Sequence, residues 1–281
     1  MSWSPGSVSA DVFFHDGNTS VYGRNETYRT KEGESLIEVA RNFNIGFNAI
    51  AQANPELDPF VPGEGVVVAI PMQWILPDVQ PVGIVINLSD YRLYHFFKEG
   101  SDNLVATYPI GIGDDGWVTP LGKFTVVEKL EKPKWTVPPS IRKEDPSLPA
   151  VVPPGPENPL GSHALRLSLR SVLIHGTNRP FGIGRKVSHG CIHLYPEDIP
   201  ILFKTTAKGT RVTVVRQPVK IGKKEERVYV EIHQDNDFKG DYLKEAWILL
   251  KKKQLDGLVS MERLEAAASA KNGVVVDITL D

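Results

Sequence analysis

A chain of 281 residues is long for one domain and comfortable for two or three. Its hydrophobic fraction of 41% and charged fraction of 23% are those of an ordinary globular protein. A net charge of -2 offers no general attraction for nucleic acid or anionic lipid, no apolar run reaches the roughly 20 residues that span a bilayer, and a lone cysteine excludes a disulfide framework or a multi-cysteine metal cage.

The first residues, Met1-Ser2-Trp3-Ser4-Pro5-Gly6, have neither the basic start nor the apolar core of a signal peptide, and residues 1–26 read as an N-terminal tail. A strand over Thr27–Thr30 then turns at Lys31–Ser35 into a helix. Ser35 can cap that helix, and Glu38 stands at the capping-box spacing. Leu36, Val39, Ala40 and Phe43 follow on one helical face. A second short helix, Asn48 to Ala53, ends before Pro55, because the residue preceding a proline is pushed out of the helical region. Val66–Pro71 closes a βααβ unit over residues 27–72. Its residues Gly33-Glu34-Ser35-Leu36, Ile37, Ala40, Phe43, Ile50, Ala53-Asn54-Pro55, Pro62-Gly63 and Ile70-Pro71 resemble a LysM module. The resemblance implies binding to N-acetylglucosamine-containing glycan strands.

Residues 82–217 are rich in short strands. Ile84–Leu88 and Arg92–Phe96 read as a hairpin about Ser89-Asp90, and further strands are expected over 104–110, 123–127, 164–169, 171–174 and 210–215. Only 196–205 looks helical. This pattern predicts a β-sandwich or barrel. It is interrupted between Lys132 and Leu160 by nine prolines, which read as a stiff lid that Trp135 could anchor. The remainder, 218–281, carries a strand (Arg227 to Ile232) and helices over 239–252 and 261–270, an α/β extension of unknown role.

The chemistry concentrates in His175-Gly176-Thr177 and Ser188-His189-Gly190-Cys191-Ile192-His193. A thiol becomes an effective nucleophile when an imidazole takes its proton or a dipole stabilises its anion. Glycine before the cysteine lets the chain turn tightly and expose amides that can hold an oxyanion. Cys191 alone could equally be a small buried hydrophobe, and His175 a structural histidine. A metal cage of His175, His189, Cys191 and His193 fits no familiar zinc spacing.

The whole second segment resembles the L,D-transpeptidase (YkuD) catalytic domain in its ErfK-like form. Beyond the Ser188–Cys191 core, the matching residues are Ile84–Leu93, Tyr108–Gly111, Thr119–Phe124, Trp135, Pro153–Gly161 and His175-Gly176-Thr177. The resemblance implies an α+β multidomain chain with a β-sandwich catalytic domain, exported to the periplasm or cell envelope. It also implies a cysteine acyltransferase acting on peptidoglycan stem peptides without metal or cofactor. Carried over by motif, Cys191 is the acylated nucleophile, His175 the base and the Gly176 carbonyl its orienter. His189 and the Gly190-Cys191 amides support the oxyanion, with Ser188 as a supporting residue. The acceptor can be another stem peptide or a lysine of an envelope lipoprotein. Water as acceptor would make an L,D-carboxypeptidase, and loss of activity a non-catalytic wall-binding protein. One departure concerns the substrate: where relatives carry arginine after Cys-Ile, this chain has His193, so carboxylate recognition is expected to shift to a residue such as Arg185.

Overall fold

The computed structural model describes residues 11–169 and 171–281. The described residues begin with β1 (Asp11–Phe14), β2 (Val21–Gly23) and β3 (Glu26–Arg29), then α1 (Leu36–Asn42), α2 (Phe47–Ala53), β4 (Val67–Ile70) and β5 (Gln73–Ile75). The central run is β6 (Gly83–Asn87), β7 (Arg92–Glu99), β8 (Asp102–Gly113), β9 (Gly122–Glu131), β10 (Trp135–Thr136), α3 (Pro139–Glu144), β11 (Val151–Val152), β12 (His163–Leu167), β13 (Leu173–His175), β14 (Lys186–Ser188), β15 (Ile192–Leu194), α4 (Ile199–Thr205) and β16 (Arg211–Val215). The chain ends with β17 (Val219–Lys224), β18 (Arg227–Ile232), α5 (Tyr242–Lys252), α6 (Met261–Ala270) and β19 (Val276–Asp277). No described helix is long and apolar enough to cross a membrane.

The central sheet is a closed barrel, which corrects the expected sandwich. Its strands follow one another as β8, β15, β13, β12, β9, β16, β6 and β7, and β7 pairs back onto β8. Closure rests on the length of β8. Residues 102–109 of β8 pair with β7, while Ile110 and Gly111 pair with β15. Both sheet edges are thereby removed. Alternation along the strands sends Ile84, Ile86, Leu165, Ile174, Ile192 and Val212 inward to a continuous apolar core. Each such side chain contributes about 1.5–3 kcal/mol by leaving water.

The stretch expected as an N-terminal tail is not one throughout. Residues 1–10 lie outside the described residues, but β1 pairs with β8 outside the ring, and β2 pairs with β5. Within the N-terminal module, β3 and β4 are antiparallel, and Ser35 and Glu38 form the full capping box that starts α1. This module shares its core with the barrel wall: Leu36, Val39, Ile50 and Ile70 join Val85, Tyr94 and Val105, the outward residues of β6 to β8. Its second contact is polar. Helix α2 has no side-chain cap, and its first amides, Phe47 N–H and Asn48 N–H, donate instead to the Ile183 and Gly184 carbonyls at 3.0 and 3.2 Å. Gly184 permits this approach, because a Cβ there would lie 2.3 Å from Phe47 N.

The same junction buries Asp198. Asn44 Nδ2 donates to its Oδ1 at 3.3 Å, while Asn44 Oδ1 and Asp198 Oδ2 are buried without a partner among the described residues. Burial, helped by Glu197, pushes the Asp198 carboxyl up to about 7. A proton on Asp198 turns one of two orphaned acceptors into a donor.

The C-terminal unit is a three-stranded antiparallel sheet, β17-β18-β19, covered by α5 and α6. It is joined to the barrel by a buried ion network. Lys220 Nζ lies 2.6 Å from Asp90 Oδ2, 2.9 Å from Glu231 Oε1 and 3.0 Å from Tyr94 OH. His233 Nε2 meets Glu231 Oε1 at 2.7 Å, and Ile75 N–H donates to Glu231 Oε2 at 2.6 Å. Asp90, Glu231 and His233 are spaced as metal ligands could be, but Lys220 already supplies the positive charge among them.

Two outcomes follow from these buried groups. Lys220→Met leaves two carboxylates uncompensated and should cost about 3–5 kcal/mol in urea unfolding. Asp198 has a folded-state pKa raised from near 4 to about 7, so between those values the unfolded chain ionises first and stability falls as pH rises. Asp198→Asn should therefore gain on the wild type between pH 4.5 and pH 7.5, as read from urea midpoints at each pH. An unchanging difference between the two proteins would exclude a protonated Asp198.

Candidate active site

Cross-strand register assembles the site on the outer face of the barrel. In β12, β13 and β15, Leu165, Ile174 and Ile192 point into the core. Their neighbours therefore point outward. Ala164 pairs with His175, and Arg166 with Leu173. On the other side of β13, parallel pairing sets His175 beside His193. Continuing that register by one residue places Cys191 beside Leu173. Two outward rows result: Ala164–His175–His193, and Arg166–Leu173–Cys191. His175 is thus the diagonal neighbour of Cys191, a spacing of about 7–8 Å between backbones that side chains can bridge.

Protonation follows from burial. His175 is 3% exposed, and its Nδ1 lies 2.6 Å from the Gly176 carbonyl oxygen. A carbonyl only accepts, so Nδ1 carries the proton and Nε2 keeps its lone pair. Burial lowers the His175 pKa to about 4, with the Gly176 carbonyl opposing it. The imidazole is therefore neutral at pH 7 and ready to accept a proton. Burial pushes the Cys191 thiol up, against the pull of the Leu173 amide and the Arg166 charge. At rest its Sγ faces the Ser171 carbonyl at 3.7 Å, so the thiol donates there. The resting pair is thiol and imidazole, both uncharged. Attack then needs proton transfer to His175 as the bond forms, which is general-base catalysis.

The turn before the nucleophile is held from two sides. Gly190 has φ +94°, which a side chain rarely tolerates. Thr119, 1% exposed, donates its hydroxyl to the Gly190 carbonyl at 3.2 Å and accepts the Gly113 amide at 2.9 Å. Ser188 Oγ donates to the Cys191 carbonyl at 2.6 Å, so this hydroxyl fixes the turn. With the Gly190 carbonyl held, the Cys191 amide of the same planar peptide unit is fixed in direction and can receive an oxyanion.

The other expected residues are placed differently from one another. His189 is exposed, with Nε2 3.1 Å from Glu144 Oε2 and its ring 5.2 Å from that of Trp117. It joins the turn to the proline-rich excursion, whose helix α3 carries Glu144. That excursion is a structured flap: Trp135 pairs with Val152, and buried Asn158 donates to the Pro133, Val152 and Pro153 carbonyls. His193 lies 4.5 Å from His175, ring to ring, and burial together with both neighbouring imidazoles holds its pKa well below the ordinary value. It therefore offers no positive charge. The Arg185 guanidinium lies 5.0 Å over the Phe47 ring, engaged with the N-terminal module. Thr119, Glu144 and Arg166 were not singled out by their residue types. Their places depend on register and on the flap; only Thr119 stood inside a recognisable motif.

The two lowered and raised pKa values fix a pH profile. Alkylation of Cys191 by iodoacetamide should climb with pH towards a midpoint above the ordinary thiol value, with no fast plateau between pH 5 and 7. A plateau there would indicate a thiolate–imidazolium pair at rest.

Residues 81–214 match the family model described as the L,D-transpeptidase catalytic domain, YkuD. The "Probable L,D-transpeptidase YcfS" of Escherichia coli K12 is 44% identical over 212 residues, which cover 72% of this chain and 66% of that protein. "Probable L,D-transpeptidase YbiS" of the same strain is 42% identical over 226 residues, covering 78% and 72%. The aligned region thus spans about two thirds of the length of these relatives. The NMR structure of the catalytic domain from E. faecium L,D-transpeptidase aligns at 25% identity over 49% of this chain and 99% of that one, with a TM-score of 0.36, too loose to add weight. With the barrel, the Cys191 turn and these relatives together, the chain belongs to the YkuD family of L,D-transpeptidases.

Proposed function

We propose that this protein is a peptidoglycan L,D-transpeptidase whose donor is a tetrapeptide stem with diaminopimelate third and D-alanine fourth. The observation that carries this reading is the diagonal placement of Cys191 and His175 on one face of the barrel, with the His175 Nδ1 tied to the Gly176 carbonyl so that Nε2 keeps its lone pair, on the frame of a transpeptidase family. Cys191 Sγ attacks the carbonyl carbon of the third residue while its proton passes to His175. The Gly190 and Cys191 amides receive the developing oxyanion. The carbon–nitrogen bond then breaks, and the D-alanine amine leaves with the proton from the imidazolium. An amine, either on another stem or on an envelope lipoprotein, attacks the thioester with His175 again as base. This transfer requires no metal or cofactor.

The N-terminal βααβ module is assigned, on its sequence resemblance, to LysM-type binding of glycan strands, and the protein to the cell envelope. Holding a glycan-binding module beside the site raises the effective concentration of attached stem peptides. What supports a fixed arrangement here is the shared apolar core and the capping of α2 by the Ile183 and Gly184 carbonyls. A consequence is that residues 11–81 cannot be removed without stripping the outer wall of β6 to β8, so glycan binding is better tested with the full chain.

The test uses a purified diaminopimelate-type disaccharide tetrapeptide incubated with wild type and Cys191→Ala, read by mass spectrometry. A cross-linked dimer with wild type alone is expected. A tripeptide alone would make water the acceptor and the enzyme an L,D-carboxypeptidase. Unchanged tetrapeptide would remove stem-to-stem transfer from consideration.

A further inference from the structure

The mechanism leaves one charged side chain of the site without a task. Arg166 stands in the outward row that ends at Cys191, with Leu173 between them, and it is the diagonal neighbour of His175 through the Ala164–His175 pair. A long side chain spans the diagonal to His175, and the Arg166 charge is felt at the Cys191 thiol. It is held in place by one edge: Arg166 Nε donates to Glu128 Oε2 at 2.7 Å, and Glu128 is its partner across the β9–β12 ladder. The side chains are 37% and 50% exposed. No bond from the two terminal nitrogens of the guanidinium reaches another described residue. That edge is the fork that grips a carboxylate with two parallel hydrogen bonds.

The reaction places a carboxylate there. The departing amine takes its proton from His175, so the departing residue lies against His175. In an amino acid the carboxylate carbon is two bonds from that nitrogen. Neither of the other two residues beside the nucleophile turn supplies a free cation: Arg185 lies over Phe47, and His193 is uncharged. On the transpeptidase reading above, we propose that Arg166 binds the terminal carboxylate of the donor's departing D-amino acid. Glu128 serves as the positioning residue that orients the guanidinium. This makes Arg166 a specificity-determining residue, selecting donors that end in a free acid.

The experiment compares two donors on the full chain, a disaccharide tetrapeptide ending in D-alanine and the same compound ending in D-alaninamide. Wild type should favour the free acid in kcat/KM by about 10- to 100-fold, the range expected for hydrogen bonds to a charged group. Arg166→Gln should bring the acid-to-amide ratio near one by losing activity on the acid, and Arg166→Lys should restore part of it. A variant that merely loosens the fold or alters the thiol would lower both donors together and keep the ratio, and that result would overturn the proposal. So would a wild type indifferent to the terminal carboxylate. A wild type inert on both donors would sink the transpeptidase reading itself, and this inference with it.

Discussion

The strand β8 is the constraint on which the rest of the molecule depends. Its twelve residues take β7 and β1 along the first part and β15 and β14 along the last. One continuous backbone therefore closes the barrel and also fixes both strands that flank the nucleophile turn. A shift of β8 by one residue would turn its own inward residues outward and break its register with all four neighbours. The precision of the site is inherited from that register. His175 and Cys191 stand diagonally on one face because two three-residue strands, each too short to be stable alone, are clamped in parallel between longer partners.

Such a clamp permits an uncharged resting pair. Burial disfavours ions of either sign, raising the thiol and lowering the imidazole. The ordered groups around them then serve the charges that appear only as bonds change. The Gly176 carbonyl fixes the histidine tautomer, and the Thr119 and Ser188 hydroxyls hold the carbonyls of the nucleophile turn. Electrostatic help prepared in advance acts on the transition state more than on the resting enzyme.

The flanking units are built into this frame. On one side, α2 lends its free amides to the loop that leads into β14, so the N-terminal module braces the approach to the nucleophile. On the other, Lys220 brings its charge to Asp90 at the turn between β6 and β7. Buried ion pairs seldom add much net stability, because desolvation offsets the attraction. Their value here lies in orientation. Among the buried alternatives, only the arrangement that pairs all of Asp90, Lys220, Glu231 and His233 avoids a stranded charge.

By itself, the sequence determined whatever depends on neighbours along the chain. The Ser35–Glu38 capping box, the 261–270 helix, the 227–232 strand and the contiguous motifs of the family are all local, and local hydrogen bonding and periodicity suffice to specify them. Strands of two or three residues, such as β2, β10, β14 and β15, carry too few residues for a period to be read, and they exist because a partner holds them. The choice of a closed barrel over a sandwich was likewise decided by pairing between distant strands. The same distinction separates the site residues. Cys191 and His175 stand out in the sequence by chemistry and glycine context. Arg166, Glu144 and Thr119 acquire a place only when register, flap and loop bring them to the nucleophile. Arg185, a neighbour in sequence, is drawn instead to Phe47. Proximity across a sheet is set by which strands pair and in what register, and that information lies in the tertiary structure because no single segment contains it.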